Sequence, residues 1–295
     1  MPSPRILVLG ATGGLGRALV RRLSSGHEVT GWGRADLDLE RPETIAAALA
    51  RHDFDVLLNP AGLTSPDVSE EQPEKARLAN VAGPQALAEF CQRRGARMIH
   101  FSTDYVFSGE AHDLWSEEDE TGPVNVYGRT KRDGELAVLD ACPSALVARV
   151  SWLFGPDKAS HPDHVIQRAL RGEELTAVED KVSAPTSTAD LSDWTARIIA
   201  EHPGHAGVLH MCNSGIASWH SWAEAALAFA ECYSGLPLKT RTVRPIKLAE
   251  LTQLKARRPR MTVMSNERLQ SLLGEEIRNW CDAQVDYLVE KYGAA

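Results

Sequence analysis

The chain has 295 residues, enough to bury a large core as one big domain or two modest ones. Its hydrophobic content of 43% and charged content of 24% are ordinary for a globular protein. The net charge of −8 argues against nucleic-acid binding, because that function normally needs a basic face.

The cysteines are odd in number and widely separated, which favours a reducing compartment. They are Cys91, Cys142, Cys212, Cys232 and Cys281. The N-terminal segment from Met1 to Arg5 leads directly into an apolar strand without a signal pattern, and no window resembles a membrane span. We therefore expect a soluble, cytoplasmic protein with no membrane partner.

A glycine-rich turn follows the first apolar run. The run Arg5 to Leu9 predicts a strand, and the helical periodicity after Gly16 predicts a helix. Gly10 permits the tight turn, Gly13 lets the backbone approach a pyrophosphate, and Gly16 lets the helix pack on the strand. This order of strand, turn and helix predicts a dinucleotide-binding site.

The residues after the second strand, His27 to Trp32, normally meet the adenosine ribose. Here they are Gly33 and Arg34, and no acidic side chain repels a 2′-phosphate. Arginine attracts that phosphate, so we predict a preference for NADPH, with NADH still possible. The alternative is that Arg34 is only solvated.

Strands and helices continue to alternate. The sequence predicts a helix over 42–51 and then a strand over 54–59, which ends in Pro60-Ala61-Gly62. A long helix over 74–93 and a strand over 98–102 follow. The pattern indicates an α/β fold of Rossmann type, with a doubly wound parallel sheet.

The segment 101–131 carries the candidate chemistry. If Pro123 lies in the first turn of a helix, Tyr127 and Lys131 share one face, one turn apart. An ammonium there would stabilise a tyrosinate, which helps a phenol to give a proton to a carbonyl oxygen. Thr103, at the end of a buried strand, could hold the same oxygen.

The same spacing recurs at Tyr287 and Lys291. That segment mixes apolar and charged residues and has no strand and hydroxyl upstream, so we interpret it as an amphipathic surface helix. The acidic loop 115–120 is interpreted as solvated and partly capping. The histidine pairs lack a third ligand in register, so no catalytic metal is predicted.

The chain becomes less regular after Val150. Trp152, at the mouth of the site, could stack on a sugar or base, or could be core packing at a domain junction. We expect a cofactor domain over 1–152, to which 189–212 returns, and a smaller substrate-binding lobe formed by 153–188 and 213–295. The basic Arg257, Arg258 and Arg260 fit either an anionic nucleotide or a solvated turn.

Three motifs together resemble the extended short-chain dehydrogenases/reductases, and within them the dTDP-4-dehydrorhamnose reductase family. They are Gly10-x-x-Gly13-x-x-Gly16, Ser102-Thr103-Asp104-Tyr105-Val106-Phe107, and Pro123 to Lys131 with its Tyr127-Gly128-Arg129-Thr130-Lys131. The resemblance runs nearly end to end. Tyr105 follows Asp104 where related dehydratases carry an acidic pair, so dehydration is disfavoured.

The resemblance implies reduction of the 4-keto group of a deoxysugar nucleotide, most simply dTDP-4-dehydro-L-rhamnose. Tyr127 would protonate the substrate oxygen, Lys131 would hold the ribose and lower the tyrosine pKa, and Thr103, Asp104 and Trp152 would face the sugar. The residues implied to line the cofactor are Gly10, Gly13, Leu15, Asp38, Leu39, Ala61, Gly62 and Leu63. A homodimer is expected from family habit.

Two departures lie on the substrate side. Residues 160–164 replace a usual Gly-x-Asn-Phe element, and Asp180-Lys181-Val182-Ser183 replaces a usual Asp-Gln-x-Gly. The alternatives are therefore a nucleotide-sugar epimerase, a reductase of another keto-sugar, or a non-catalytic protein resembling the regulatory subunit of methionine adenosyltransferase.

Overall fold

The structure is a computed structural model that describes residues 3–110, 113–233 and 235–293, so Met1 and Pro2 of the N-terminal segment lie outside it. The strands are β1 (Ile6–Leu9), β2 (Val29–Trp32), β3 (Val56–Asn59), β4 (Arg97–Thr103), β5 (Leu146–Val150), β6 (Leu153–Phe154), β7 (Thr176–Val178), β8 (Val182–Ser183), β9 (Thr186–Ser187), β10 (Gly207–His210), β11 (Ala217–Ser218) and β12 (Arg244–Ile246).

Helices alternate with these strands through most of the chain. The α-helices are α1 (Gly14–Leu23), α2 (Pro42–Leu49), α3 (Pro66–Glu71), α4 (Pro73–Arg77), α5 (Gly83–Arg94), α6 (Val126–Ala141), α7 (His161–Arg171), α8 (Thr188–Glu201), α9 (Trp219–Tyr233), α10 (Glu267–Leu273) and α11 (Trp280–Tyr292). A π-helical turn covers Leu78–Ala82, and short 3-10 helices cover Asp104–Val106 and Leu248–Glu250.

The central sheet has six parallel strands in the order β2-β1-β3-β4-β5-β10. Side chains of β1 alternate between two cores: Ile6 and Val8 pack toward α1 and α8, whereas Leu7 and Leu9 pack toward α2, α5 and α6. Both faces are thus covered by helices, and the predicted doubly wound parallel sheet is confirmed.

The strand order reverses direction between β1 and β3. In such sheets ligands bind at the carboxyl ends of the strands beside this switch point. The turns that begin with Gly10 and Pro60 both leave the sheet there, and a Cβ on Gly10 would lie 3.1 Å from the Cβ of Ala61. The topology therefore places the two predicted cofactor segments side by side.

Two predicted helices differ from those observed. The single helix expected over 74–93 is interrupted by the π-helical turn Leu78–Ala82. Helix α6 begins at Val126 and is capped by Asn125, whose Oδ1 accepts the Gly128 N–H at 2.7 Å, so Pro123 lies before the helix instead of in its first turn. Tyr127 and Lys131 still share one face of α6.

The acidic loop is more than a solvated turn. The Glu117 side chain is only 4% exposed, accepts the His210 N–H at 2.9 Å and pairs with Arg268 at 3.6 Å. It therefore ties the loop to β10. In the part of the chain that the structure describes, no group of three or more His, Cys, Asp or Glu residues is arranged to hold a metal ion.

A second core lies beyond the sheet. Phe154, Trp222, Leu227, Tyr287 and Leu288 pack together with residues of α7. Part of the segment 189–212 forms β10, which pairs in parallel with β5 at the edge of the main sheet. None of the described helices is long and apolar enough to cross a membrane.

Candidate active site

A cleft of about 850 Å³ lies at the carboxyl edge of the sheet, between the switch point and the second core. Almost every residue proposed from the sequence lines it. These are Gly10, Gly13, Leu15, Gly16, Arg34, Asp38, Leu39, Ala61, Gly62, Leu63, Thr103, Tyr127, Lys131 and Trp152. The lining does not include Asp104, which is 1% exposed and lies behind Thr103.

The glycine turn has the shape that a pyrophosphate needs. Gly10 has a φ of +59°, which glycine adopts without strain. A Cβ on Gly16 would lie 2.1 Å from the Gly10 carbonyl oxygen, so a larger residue would push α1 away from β1. The N-terminus of α1 follows Gly13, and its free N–H groups face this turn. The turn therefore fits a dinucleotide.

Arg34 is at the adenosine end of the cleft, but it has partners. Its guanidinium donates to Glu40 at 2.5 Å and lies 3.5 Å from Asp38, and its side chain is 62% exposed. Lys75 also approaches Glu40, at 3.9 Å. A 2′-phosphate binding to Arg34 would compete with Glu40 for the same N–H groups.

The Lys131 side chain is held by residues of strand β4. Its Nζ donates to the Phe101 carbonyl oxygen at 2.7 Å and lies 3.4 Å from His100 Nε2. Nδ1 of His100 is 3.0 Å from the amide nitrogen of Asn59, whose Oδ1 accepts the Ala61 N–H. Burial, together with the Lys131 charge, holds the pKa of His100 well below its usual value. A neutral His100 thus connects the lysine to the cofactor loop.

The environment of Tyr127 differs from the expected one. Burial raises the pKa of Tyr127 to about 12, the hydrogen bond with Thr103 acts in the opposite direction, and the Asp104 charge adds to the increase. Lys131 is not among the groups that shift this pKa. The phenol is consequently protonated at neutral pH, which is the form that can give a proton.

Trp152 has an unusual backbone conformation. Among the described non-glycine residues it alone has a positive φ, +40°, a strained value that often marks functional sites. Its ring stacks on Trp222, with centroids 5.7 Å apart and planes 13° apart, and lies 6.0 Å from Trp219. Both readings of Trp152 therefore have structural support, since the ring lines the cleft and also packs on the second core.

Two residues at the cleft, Asn80 behind its lining and Ser102 in it, escaped the sequence analysis. Asn80, fully buried in the π-helical turn, binds both the N–H and the carbonyl of Leu63, at 2.9 and 3.1 Å. Ser102 Oγ, which lines the cleft, has no hydrogen-bond partner within the described residues. An asparagine among apolar helix residues was the available signal for Asn80. The unpaired Ser102 hydroxyl is an observation that fits a cofactor with polar groups at this place.

The chain is similar to known proteins over nearly its full length. A sequence profile described as RmlD substrate binding domain matches residues 4–292. A Streptomyces antibioticus protein named probable dTDP-4,6-dihydroxy-2-methyloxan-3-one 4-ketoreductase is 39% identical over 283 residues, covering 95% of this chain and 92% of that protein. The dTDP-4-dehydrorhamnose reductase of Burkholderia thailandensis is 35% identical, covering 94% and 95%.

A solved structure supports the same relationship. The crystal structure of the Bacillus anthracis dTDP-4-dehydrorhamnose reductase in complex with NADP matches with a TM-score of 0.90 and 25% identity, covering 98% of this chain and all of that chain. The fold and cleft are those of an extended short-chain dehydrogenase/reductase. Within that class, the chain belongs to the RmlD substrate-binding-domain family.

Proposed function

We propose that this protein is an NADPH-dependent reductase of the 4-keto group of a dTDP-deoxysugar. The observation that carries the proposal is the convergence of Thr103, Tyr127 and Lys131 in one cleft with the glycine turn. Both curated relatives described above are named as reductases of dTDP-linked sugars, which supports the reaction type. The simplest substrate is dTDP-4-dehydro-L-rhamnose, giving dTDP-L-rhamnose.

In this proposal Tyr127 is the proton donor. NADPH, when bound, supplies the hydride for the carbonyl carbon. Proton release leaves a tyrosinate in a buried place. Lys131, one helical turn away on the same face of α6, would hold the cofactor ribose, as the family resemblance implies. Thr103 would hold the substrate oxygen by turning its hydroxyl away from the buried Asp104, whose carboxylate accepts that hydroxyl at 3.1 Å in this structure.

We further propose that the second core is the substrate-binding lobe. Residues 1–152 with 189–212 would then bind the cofactor, and 153–188 with 213–295 would bind the sugar nucleotide. Trp152 and Trp219 line the cleft on the side of the second core and offer aromatic faces to a sugar or base. We expect the enzyme to be a homodimer in the cytoplasm. Light scattering, which measures the molar mass in solution, tests the dimer.

The identity of the sugar has a second candidate. The Streptomyces antibioticus relative is named for a dTDP sugar with a different deoxygenation pattern, and it is 39% identical to this chain. Residues 160–164 and 180–183 lie on the substrate side and depart from the usual pattern, which favours testing both sugars. The 4-keto group and the dTDP group are common to both candidates.

The test is loss of NADPH absorbance with each keto-sugar, in the native protein and in Tyr127→Phe. Proton transfer contributes about 10² to 10⁴ in rate, so Tyr127→Phe should bind NADPH and turn over that much more slowly. Tyr287→Phe is the matched control, because it removes a buried phenol that also has a lysine four residues later. It should keep its turnover.

Other outcomes separate the alternatives. Full activity in Tyr127→Phe would contradict the assignment of the proton donor. Inversion at a sugar carbon without net NADPH consumption would favour an epimerase. Tight NADPH binding without turnover, together with a stoichiometric enzyme partner on purification, would favour a regulatory subunit.

A further inference from the structure

The segment 155–160 joins β6 to α7 and passes the start of α1. Its Lys158 lines the cleft together with Gly13 and Gly14 of the glycine turn. A Cβ on Gly14 would lie 3.3 Å from the Cβ of Lys158, so the stem of the lysine lies against the first residue of α1. Because β6 and α7 both contribute to the second core, a segment from that side of the cleft reaches the place that fits a pyrophosphate.

The start of α1 has no negative partner of its own. Gly13 caps the helix without a side-chain hydrogen bond, and no acidic residue lies in the first turn. The free N–H groups at a helix N-terminus act as a partial positive charge, equivalent to about half an elementary charge. A lysine ammonium beside them is unfavourable by itself and becomes favourable when an anion lies between the two.

A second lysine of the chain shows the opposite arrangement. Lys239 also packs against a helix-terminal glycine, since a Cβ on Gly172 would lie 3.4 Å from its Cβ. Gly172, however, is at the C-terminal end of α7, where the helix dipole itself stabilises a cation. Lys239 therefore needs no ligand to explain its place, whereas Lys158 does.

The Lys158 ammonium is free to meet an anion. The residue is exposed, and its side chain has no hydrogen bond or ion pair within the described residues. The neighbouring Asp157 also lines the cleft, but its Oδ1 accepts a hydrogen bond from Arg21 of α1 at 2.6 Å. This ion pair fixes the segment to α1 and offsets the charge that would repel an anionic ligand.

A buried hydroxyl beside the same segment is also unpaired. Thr188 is 4% exposed and lines the cleft, yet its Oγ1 has no hydrogen-bond partner in the part of the chain that the structure describes. A Cβ on Gly155 would clash with this oxygen, so the hydroxyl lies against the start of the segment. Buried polar atoms are normally paired, and an unpaired one at a cleft indicates a polar ligand there.

We propose that Lys158 is a cofactor-binding residue, whose ammonium donates to the pyrophosphate of the bound dinucleotide across from the N-terminus of α1. The inference rests on the proposed function only in placing a dinucleotide in this cleft, and it does not depend on which keto-sugar is reduced. A sugar nucleotide also carries a diphosphate. The contact of Lys158 with Gly14, at the glycine turn, favours the diphosphate of the cofactor.

The test measures dissociation constants by calorimetry for NADPH, NADH and ADP-ribose. Lys158→Ala should raise all three by about tenfold or more, the size of a lost charge-assisted hydrogen bond. Lys158→Arg keeps the positive charge and should lose much less. NADH lacks the 2′-phosphate and ADP-ribose lacks the nicotinamide, so an equal loss with all three identifies the pyrophosphate that they share.

Lys239→Ala is the matched control, because it removes another exposed lysine that packs on a glycine but does not line the cleft. It should bind all three compounds like the native protein. The same titrations with dTDP separate the two diphosphates, and Lys158→Ala should leave dTDP binding nearly unchanged.

Three results would overturn the inference. They are unchanged dissociation constants in Lys158→Ala, a loss confined to NADPH, which would assign the lysine to the 2′-phosphate, and a loss confined to dTDP, which would assign it to the substrate. Weaker dinucleotide binding in a protein that reduces no keto-sugar would support the inference and refute the proposed function. Keto-sugar reduction with native NADPH affinity in Lys158→Ala would do the reverse.

Discussion

The Nζ of Lys131 donates a hydrogen bond to the carbonyl oxygen of Phe101 at 2.7 Å, which fixes the ammonium at the floor of the cleft. Burial lowers the pKa of Lys131 to about 8, against the charge of Glu135, so the group is an ammonium below that pH and a neutral amine above it. We predict that kcat/KM for keto-sugar reduction falls as the pH rises through about 8. The phenol of Tyr127, with a pKa of about 12, stays protonated across this range.

The measurement is a profile of kcat/KM from about pH 6 to about pH 10, which reports the groups of the free enzyme. Burial also lowers the pKa of Lys181 to about 8, so the profile is repeated in Lys181→Gln. Retention of the alkaline decline in that variant assigns it to Lys131. A profile that stays level up to about pH 10 would contradict the prediction.

Cofactor preference depends on the competition between Glu40 and the cofactor for Arg34. Arg34→Ala should raise the KM for NADPH by about tenfold to a hundredfold, the size of a lost charge-assisted hydrogen bond, and leave that for NADH nearly unchanged. Glu40→Gln should lower the KM for NADPH, because the guanidinium loses its 2.5 Å partner. Steady-state kinetics with NADPH and with NADH measure these changes in KM.

Arg41→Ala is the control for that experiment, since Arg41 is exposed, pairs with Glu43 at 3.6 Å and is absent from the cleft lining. It should behave like the native protein. Equal loss of NADPH and NADH affinity in Arg34→Ala would show that Arg34 supports the loop after β2 and does not select the 2′-phosphate of NADPH.

Asn80 should be essential for the shape of the cofactor loop. Its side chain binds Leu63 twice and also donates to Thr130 Oγ1 at 3.1 Å, and it lies so close to the loop that a Cβ on Gly62 would be 2.8 Å from its Oδ1. Asn80→Leu should reduce the free energy of unfolding by about 1 to 3 kcal/mol, because it leaves buried polar groups of Leu63 unpaired.

NADPH binding should weaken in parallel, since Leu63 lines the cleft. Urea unfolding and fluorescence titration with NADPH measure the two effects. Gln85→Leu, on the exposed surface of α5, is the control, because its amide donates to the neighbouring Glu89 and it does not line the cleft. Native NADPH affinity in Asn80→Leu would show that the loop keeps its shape without the asparagine.

The local parts of this structure could be predicted from the sequence. The strand before Gly10, the helix after Gly13 and the spacing of Tyr127 and Lys131 depend on near neighbours in the chain, and the structure has them in one cleft. The role of Asn80 could not be predicted, because its partner Leu63 becomes a neighbour only when the chain folds.

The interruption of the helix predicted over 74–93 also depends on contacts between segments that are distant in the sequence. A Cβ on Gly83 would lie 2.6 Å from the Leu39 carbonyl oxygen, so the helix approaches the cofactor loops too closely for any other residue. The π-helical turn before Gly83 contains Asn80 and brings its amide to Leu63. Periodicity of apolar residues shows neither the close approach nor the turn, since both depend on contacts between distant segments.

The pair Tyr287 and Lys291 is structural, and it lies on an amphipathic surface helix, as its sequence predicts. Tyr287 is only 4% exposed, and its hydroxyl donates to Asp163 at 2.5 Å. Lys291 and Tyr292 donate to the other oxygen of Asp163, at 2.6 and 2.8 Å. Because Asp163 also caps α7 through Ser160, this one carboxylate joins α11 to the wall of the cleft.

Asp163→Ala should therefore reduce the free energy of unfolding by about 3 kcal/mol or more, since it leaves a buried phenol and an ammonium without their acceptor. Tyr287→Phe, which removes one hydrogen bond only, should cost about 1 kcal/mol. Burial pushes the pKa of Asp163 upward, but the hydrogen bonds from Lys291 and Tyr287 outweigh it and the pKa is lowered. This stabilisation is thus complete above the ordinary value of about 3.9 and is lost as the pH falls through the lower value of the folded protein.

Urea unfolding at neutral pH and in acid measures both predictions. The difference between Asp163→Ala and the native protein should be large at neutral pH and should shrink in acid, where the native carboxyl group also becomes neutral. The variant should bind the sugar nucleotide more weakly than the native protein, because α7 borders the cleft. A difference that stays constant with pH would mean that Asp163 contributes through packing and not through its charge.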